Sequence, residues 1–503
     1  MTNLPSYAPT LAALRSHPVP AWFEDAKLGI FIHWGLFSIP AFAARAGNSL
    51  DAVARSYDDA IVMTPYTEWY DNALRVPGSP SARFHSEHYG DRPYADFREP
   101  FRAGLERWNP ATWARLFRRA GARYVVLVTK HHDGFCLWPS RVPNPRRPDW
   151  FTQRDVVGDL ARAVRAEGLR FGVYYSGGID WTFNTRPLRT FGEFVGSTPG
   201  GAYPAYAEAQ VRELMDRYGP SVLWNDISWP SGLRPMLRLM ADYYAAVPDG
   251  VLNDRWMHRN WTRRVLRLRL AQHLLDSRLE RRIARAAARG QSTRGIVPPR
   301  PAHFDFRTAE YTTFDSITEE KWEATRGMSA SFGYNRNDRE EDYESATKLL
   351  QGFIDTVSKN GNLLLNVGPR GEDAAIPEPQ VARLQALGEW LAANGQSIYG
   401  TRPWERAEGE TAEGLPVRFT CKRDRLYVIV LGTPEGPELT IRDLRPPEGA
   451  RIRNVANSAR VEGRQQGGDL RLLFGDKLRQ SPAHAFAIAP LVAARSPGAG
   501  PLL

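Results

Sequence analysis

At 503 residues and 56.6 kDa, the chain exceeds what one small core organises and predicts two or three domains. Its 42% hydrophobic and 24% charged content suits a soluble globular protein, and no apolar run approaches the roughly 20 residues a membrane helix needs. The net charge of +10 does not mark a nucleic-acid binder, because residues 257–300 hold twelve arginines against Asp276 and Glu280, leaving the remainder near neutral.

The N-terminus shows no basic leader followed by an apolar core, so no signal peptide and a cytoplasmic, reducing setting are expected. Cys136 and Cys421 make no disulfide framework, and no Cys/His zinc spacing occurs. "LGIFIHWG", residues 28–35, reads as the first buried strand and runs into His33 and Trp34. Neither G-x-G-x-x-G nor a P-loop lysine follows it, which removes the usual signs of a nucleotide site. "PYTEWY", residues 65–70, then offers Glu68 and Trp69.

From residue 108 to about 256 one unit repeats: a capped amphipathic helix, a glycine stop, a short apolar strand, then polar or aromatic groups. In its first copy Asn109 is the N-cap, Pro110 opens the helix and Gly121 stops it. The strand 124–128 follows, leading to Lys130, His131 and His132. Later copies stop at Gly168, Gly219 and near Gly250. Their strands carry Tyr174, then Trp224 and Asp226, then Arg255. Strands alternating with helices at this spacing are parallel, with right-handed crossovers. "NGNLLLNVGP" reads as a late member.

A doubly wound sheet and a barrel both satisfy that order. Chemical groups at five or six different strand ends favour the barrel, whose site is assembled from many strand C-termini. The predicted fold is therefore α/β: a (β/α)8-like barrel over residues 1–400, then a C-terminal antiparallel β-sandwich over 401–491. Short alternating runs such as "VRFTCKR", "LYVIVLG" and "HAFAIAP" signal the sandwich. Residues 492–503 read as a disordered tail. Within the barrel, residues 257–299 form an arginine-rich helical insert. Leu268, Ala271, Leu275, Leu279 and Ile283 make its apolar stripe, predicting one buried face. It reads as a helical hairpin on the barrel, a wall favouring anionic glycans, or a subunit contact.

Adjacent strand residues point to opposite faces, so His131 and His132 both reach a ligand only if their strand is already ending. Asp226 reads as a chemical group or as the ion-pair partner of Arg255. Asp133, Asp180, Asp254 and Asp305 also lie near strand ends. Polar groups converging on one barrel mouth among tryptophans describe a sugar pocket, and two carboxylates suffice to hydrolyse a glycoside. Spacing alone does not select which two.

"DAKLGIFIHWG", "KHHDGFCLW", "FGVYYSGGIDW", "LWND", "LNDRW", "FRTAEY", "SFGYN" and "VSKNGNLLLNVGPRGED" occur together and in order. This set resembles the α-L-fucosidases of glycoside hydrolase family 29, from about Trp22 to Tyr399. The resemblance implies a barrel followed by a β-sandwich and a retaining exo-hydrolase that uses no metal and no cofactor. By motif, Asp226 is the nucleophile and Glu310 the acid/base. His33, Glu68, Trp69, His131, His132 and Tyr174 match residues that hold fucose hydroxyls. Trp224 and Arg255 stand beside the nucleophile, and Phe332 matches an aromatic on the C6 methyl. The implied partners are fucosylated oligosaccharides or glycoconjugates, with no nucleic acid and no membrane; homo-oligomerisation stays open. An α-L-galactosidase, a transfucosidase and a non-catalytic fucose-binding protein are the alternatives. Between "NDRW" and "FRTAEY" the chain departs from the pattern through its insert, longer than the family's connection.

Overall fold

The computed structural model describes residues 7–45, 61–261, 265–266, 268–288 and 295–490. The tail expected over 492–503 and the side chain of Ile283 lie outside the described residues. Eight parallel strands form one curled sheet: β1 Leu28–Ile32, β2 Tyr124–Lys130, β3 Arg170–Ser176, β4 Val222–Asp226, β5 Val251–Leu252, β6 Arg307–Glu310, β7 Trp322–Arg326 and β8 Gly361–Val367. Their order is β5-β4-β3-β2-β1-β8-β7-β6. Asp305 joins the two ends of that order. Its N–H donates to Leu252 O at 2.9 Å, and its carboxylate accepts the Leu252 N–H at 2.7 Å. The sheet is a barrel.

Period-two alternation sorts the apolar residues of each strand into two layers. Phe31, Val126, Val128, Tyr174, Val222, Trp224 and Leu364 fill the barrel interior. Ile30, Ile32, Val125, Leu127, Val173, Leu223 and Leu365 pack outward, with the helices. Burial on both faces is why these strands read as unbroken apolar runs. The helical punctuation follows the sequence closely. Helix Pro110–Arg119 is capped by Asn109, whose side chain accepts the Ala111 N–H at 3.0 Å. Gly121, Gly168 and Gly219 all adopt positive φ beyond their helices. Helix Leu233–Ala246 stops earlier than Gly250, because Pro248 follows and cannot continue it.

The second sheet is antiparallel. It comprises β9 Arg402–Glu410, β10 Pro416–Lys422, β11 Arg425–Val430, β12 Glu438–Ile441, β13 Arg451–Asn454, β14 Arg460–Gln466, β15 Asp469–Leu473 and β16 His484–Ala489. β14 pairs with β13 at its start and with β15 along most of its length. The sheet thereby folds over a core that includes Phe419, Val428, Ile441, Leu472 and Phe486. Its other face, with Tyr427, Ile429 and Ala485, joins the barrel's helical layer. Arg418 bonds Asp355 at 2.5 Å, and Trp390 Nε1 donates to Ala483 O at 2.9 Å, tying sheet to helices.

In the insert, the described residues include one long helix, Arg269–Ala288, and helical residues at Trp261 and Val265; the segments that would decide between a single helix and a hairpin lie outside the described residues. Ala271, Leu275 and Leu279 are half-buried as the stripe predicts, whereas Leu268 is 60% exposed.

Candidate active site

Every residue singled out by motif lines one cavity of about 470 Å3 at the C-terminal ends of the barrel strands. His33, Glu68, Trp69, His131, His132, Tyr174, Trp224, Asp226, Arg255, Glu310 and Phe332 all border it. β2 ends at Lys130, so His131 and His132 leave the strand alternation and both face the cavity.

Asp226 closes β4. Its Oδ1 accepts from Arg255 Nη1 at 2.9 Å and from the Ile227 N–H at 2.8 Å. Its Oδ2 accepts from the Tyr174 hydroxyl at 2.7 Å, with His132 Nε2 4.0 Å away. Burial pushes this carboxyl's pKa up, but the Arg255 charge and the Tyr174 hydroxyl together hold it below the ordinary range. Asp226 is therefore a carboxylate at neutral pH. Glu310 closes β6. It accepts from Arg255 Nη2 at 2.7 Å and from the Tyr66 hydroxyl at 3.2 Å. One guanidinium thus joins both acids, and it lies over the Trp224 ring at 4.8 Å. Arg255 is itself placed by Asn225, whose amide donates to Arg255 O at 2.8 Å.

The histidines are neutral. Burial lowers His33 to about 4 and His132 to about 3. Burial, with the neighbouring histidines and Lys130, puts His131 well below the ordinary value. Asn366 donates its amide to Phe332 O, so its oxygen accepts from His33 Nδ1–H at 2.6 Å. That leaves His33 Nε2 as an acceptor. Ser176 donates to Ile179 O, so it accepts His132 Nδ1–H at 2.7 Å, and His132 Nε2 is likewise an acceptor. His131 stacks on Tyr174 at 5.6 Å, and its buried Nδ1 has no hydrogen-bond partner among the described residues. Burial pushes the Glu68 carboxyl up to about 7 against the pull of the Gly333 N–H, 3.0 Å away. Phe332 stacks on His33 at 4.9 Å and supplies an apolar wall.

The model of the family described as α-L-fucosidase matches residues 2–396. The chain belongs to the α-L-fucosidase family. It is 31% identical to the tissue α-L-fucosidase of Bos taurus over 444 residues, covering 86% of this chain and 79% of that protein. The Thermotoga maritima α-fucosidase, solved in complex with a mechanism-based inhibitor, is 39% identical with a TM-score of 0.78. That match covers 96% of this chain and 99% of the other. The same enzyme solved in complex with fucose is 38% identical, with a TM-score of 0.77 and coverage of 96% and 100%.

In this α-L-fucosidase family member, the other strand-end acids do not border the cavity. Asp133 accepts from Tyr94 and Asp180 pairs with Lys130; Asp254 pairs with Arg307, and Asp305 closes the barrel. Trp229 does not wall the pocket either. It points outward against Tyr175 and Trp256, because it follows the turn after β4. Sequence reasoning missed Tyr66, two residues before Glu68 in the same short segment. It also missed the apolar lining residues Phe191, Phe194, Met257 and Ile296. Single apolar residues carry no chemical signature, whereas Tyr66 could have been found as the phenol preceding a recognised acid.

Proposed function

We propose that the chain is a retaining exo-α-L-fucosidase, with Asp226 as nucleophile and Glu310 as acid/base. The observation that carries this reading is the Arg255 guanidinium bonded to Asp226 at 2.9 Å and to Glu310 at 2.7 Å on the wall of one cavity. The relatives solved with a mechanism-based inhibitor and with fucose support the substrate class.

Oδ1 of Asp226 already serves two donors, while Oδ2 serves only Tyr174 among the hydrogen bonds described. Attack on C1 therefore proceeds through Oδ2. As the Oδ2–C1 bond forms and the glycosidic C–O bond breaks, Glu310 gives its proton to the departing oxygen. Glu310 then takes a proton from water, whose oxygen attacks C1 and breaks the ester to Asp226. Two inversions return the original configuration. The acceptor nitrogens of His33 and His132, together with His131 and Glu68, hold the sugar hydroxyls. Phe332 faces the C6 methyl.

The test is the anomer first released from an aryl α-L-fucoside, followed by NMR before mutarotation. α-L-Fucose is expected. First release of the β-anomer would replace this mechanism with inversion, and no release would leave only a binding role.

A further inference from the structure

The cavity has two zones of unlike chemistry. The deep zone holds the acids and histidines, with Asp226 and Glu310 only 7% and 8% exposed. The rim is apolar and more open: Phe191, Phe194, Val195, Met257, Pro298 and Ile296, the last 37% exposed. These residues come from two places, the helix Phe191–Val195 and the two ends of the arginine-rich insert.

The insert holds that rim in place. Helix Arg269–Ala288 lies on helix Phe191–Val195, and Asp276 accepts the Gly192 N–H at 2.6 Å. A Cβ on Gly192 would stand 2.6 Å from Gln272 O, and one on Gly196 would stand 2.4 Å from Leu266 O. Only glycine permits so close an approach. At its far end the insert meets the acid. Ile296 and Glu310 exchange both backbone hydrogen bonds, each 2.8 Å. Among the described residues, no arginine of 257–300 lines the cavity.

We propose that the rim is the leaving-group subsite, that it takes a leaving group presenting an apolar face, and that helix Arg269–Ala288 is its buttress. The inference rests on the reading of Glu310 as the acid. Whatever is bonded to the oxygen that Glu310 protonates comes to lie against Ile296 and its neighbours. An aromatic ring and the C–H face of a pyranose both offer the required chemistry. Asp276 is a positioning residue acting through Gly192.

The experiment compares kcat/KM on three substrates: α-L-fucosyl fluoride, an aryl α-L-fucoside and an uncharged α-L-fucosyl disaccharide. Fluoride carries no body into the rim. In Phe191→Ala and Asp276→Ala, the ratio of kcat/KM on a large substrate to that on the fluoride should fall about tenfold, mainly through KM. Asp276→Asn should restore the ratio, because its amide oxygen still accepts the Gly192 N–H. A fall for the aryl fucoside alone identifies an aromatic face, and a fall for both identifies the C–H face. An unchanged ratio in a protein active on all three overturns the proposal, as does an equal loss on every substrate. A wild-type protein inactive on all three would instead overturn the active-site reading, and this proposal with it.

Discussion

Ile227 and Tyr311 stand in the same relation to the two acids: each directly follows a cavity carboxylate, and each has left-handed backbone, φ +67° and +49°. For a β-branched residue such as Ile227 that conformation is rare, and it costs about 1–2 kcal/mol. Its return is geometric. The turn aims the Ile227 N–H at Asp226 Oδ1, 2.8 Å away, and lets the chain leave β4 without covering the carboxylate.

The strain is testable by comparing two truncations at position 227. In ordinary backbone, alanine is more stable than glycine by about 0.5–1 kcal/mol. Here the order should reverse, with Ile227→Gly about 1 kcal/mol more stable than Ile227→Ala in urea unfolding. Retention of the ordinary order would show that the turn is not strained.

Tyr174 stabilises the ionised form of Asp226 through one hydrogen bond of 2.7 Å. Tyr174→Phe removes it, so the Asp226 pKa rises and the acid limb of the kcat/KM profile moves to higher pH. The rate constant should fall about 10–100-fold, the worth of a hydrogen bond to a charged group. A fall with an unmoved acid limb would assign Tyr174 to sugar binding alone.

Glu68 couples the site to stability. Burial pushes its carboxyl up to about 7, above the ordinary glutamate value of about 4.3. Between those values the folded protein holds a proton that the unfolded chain has released. This contribution therefore falls as pH rises through that window and is fully lost above about 7. Glu68→Gln abolishes the titration. The variant's stability relative to wild type should improve from pH 5 to pH 8, by up to about 3 kcal/mol. Urea unfolding at the two pH values reads it, and parallel profiles would contradict the burial argument.

Much of the barrel was legible because strands covered on both faces leave an unmistakable apolar run, as in Tyr124–Lys130 and Gly361–Val367. Strands without a buried face left no such trace. β9 and β14 are mostly exposed or half-exposed along their length, so "RPWERAEGE" and "RVEGRQQ" carry no apolar run to mark them. In the site, the groups with chemical character were legible from motif. Spacing alone did not separate Asp226 from Asp180 or Asp305, since all three lie near strand ends, and it was the motif that singled out Asp226. In three dimensions Asp180 is taken up by Lys130 and Asp305 by Leu252. The insert's contribution was invisible for a further reason: it acts through backbone contacts at Gly192 and Ile296, which side-chain patterns do not encode.

The most direct measurement is of Asp226→Gly with an aryl α-L-fucoside, with and without azide. Hydrolysis should fall on the order of 10^4-fold or more, and azide should restore turnover with β-L-fucosyl azide as product, having entered the space of the missing carboxylate. Hydrolysis close to the wild-type rate, or azide that neither restores turnover nor appears in the product, would contradict Asp226 as nucleophile.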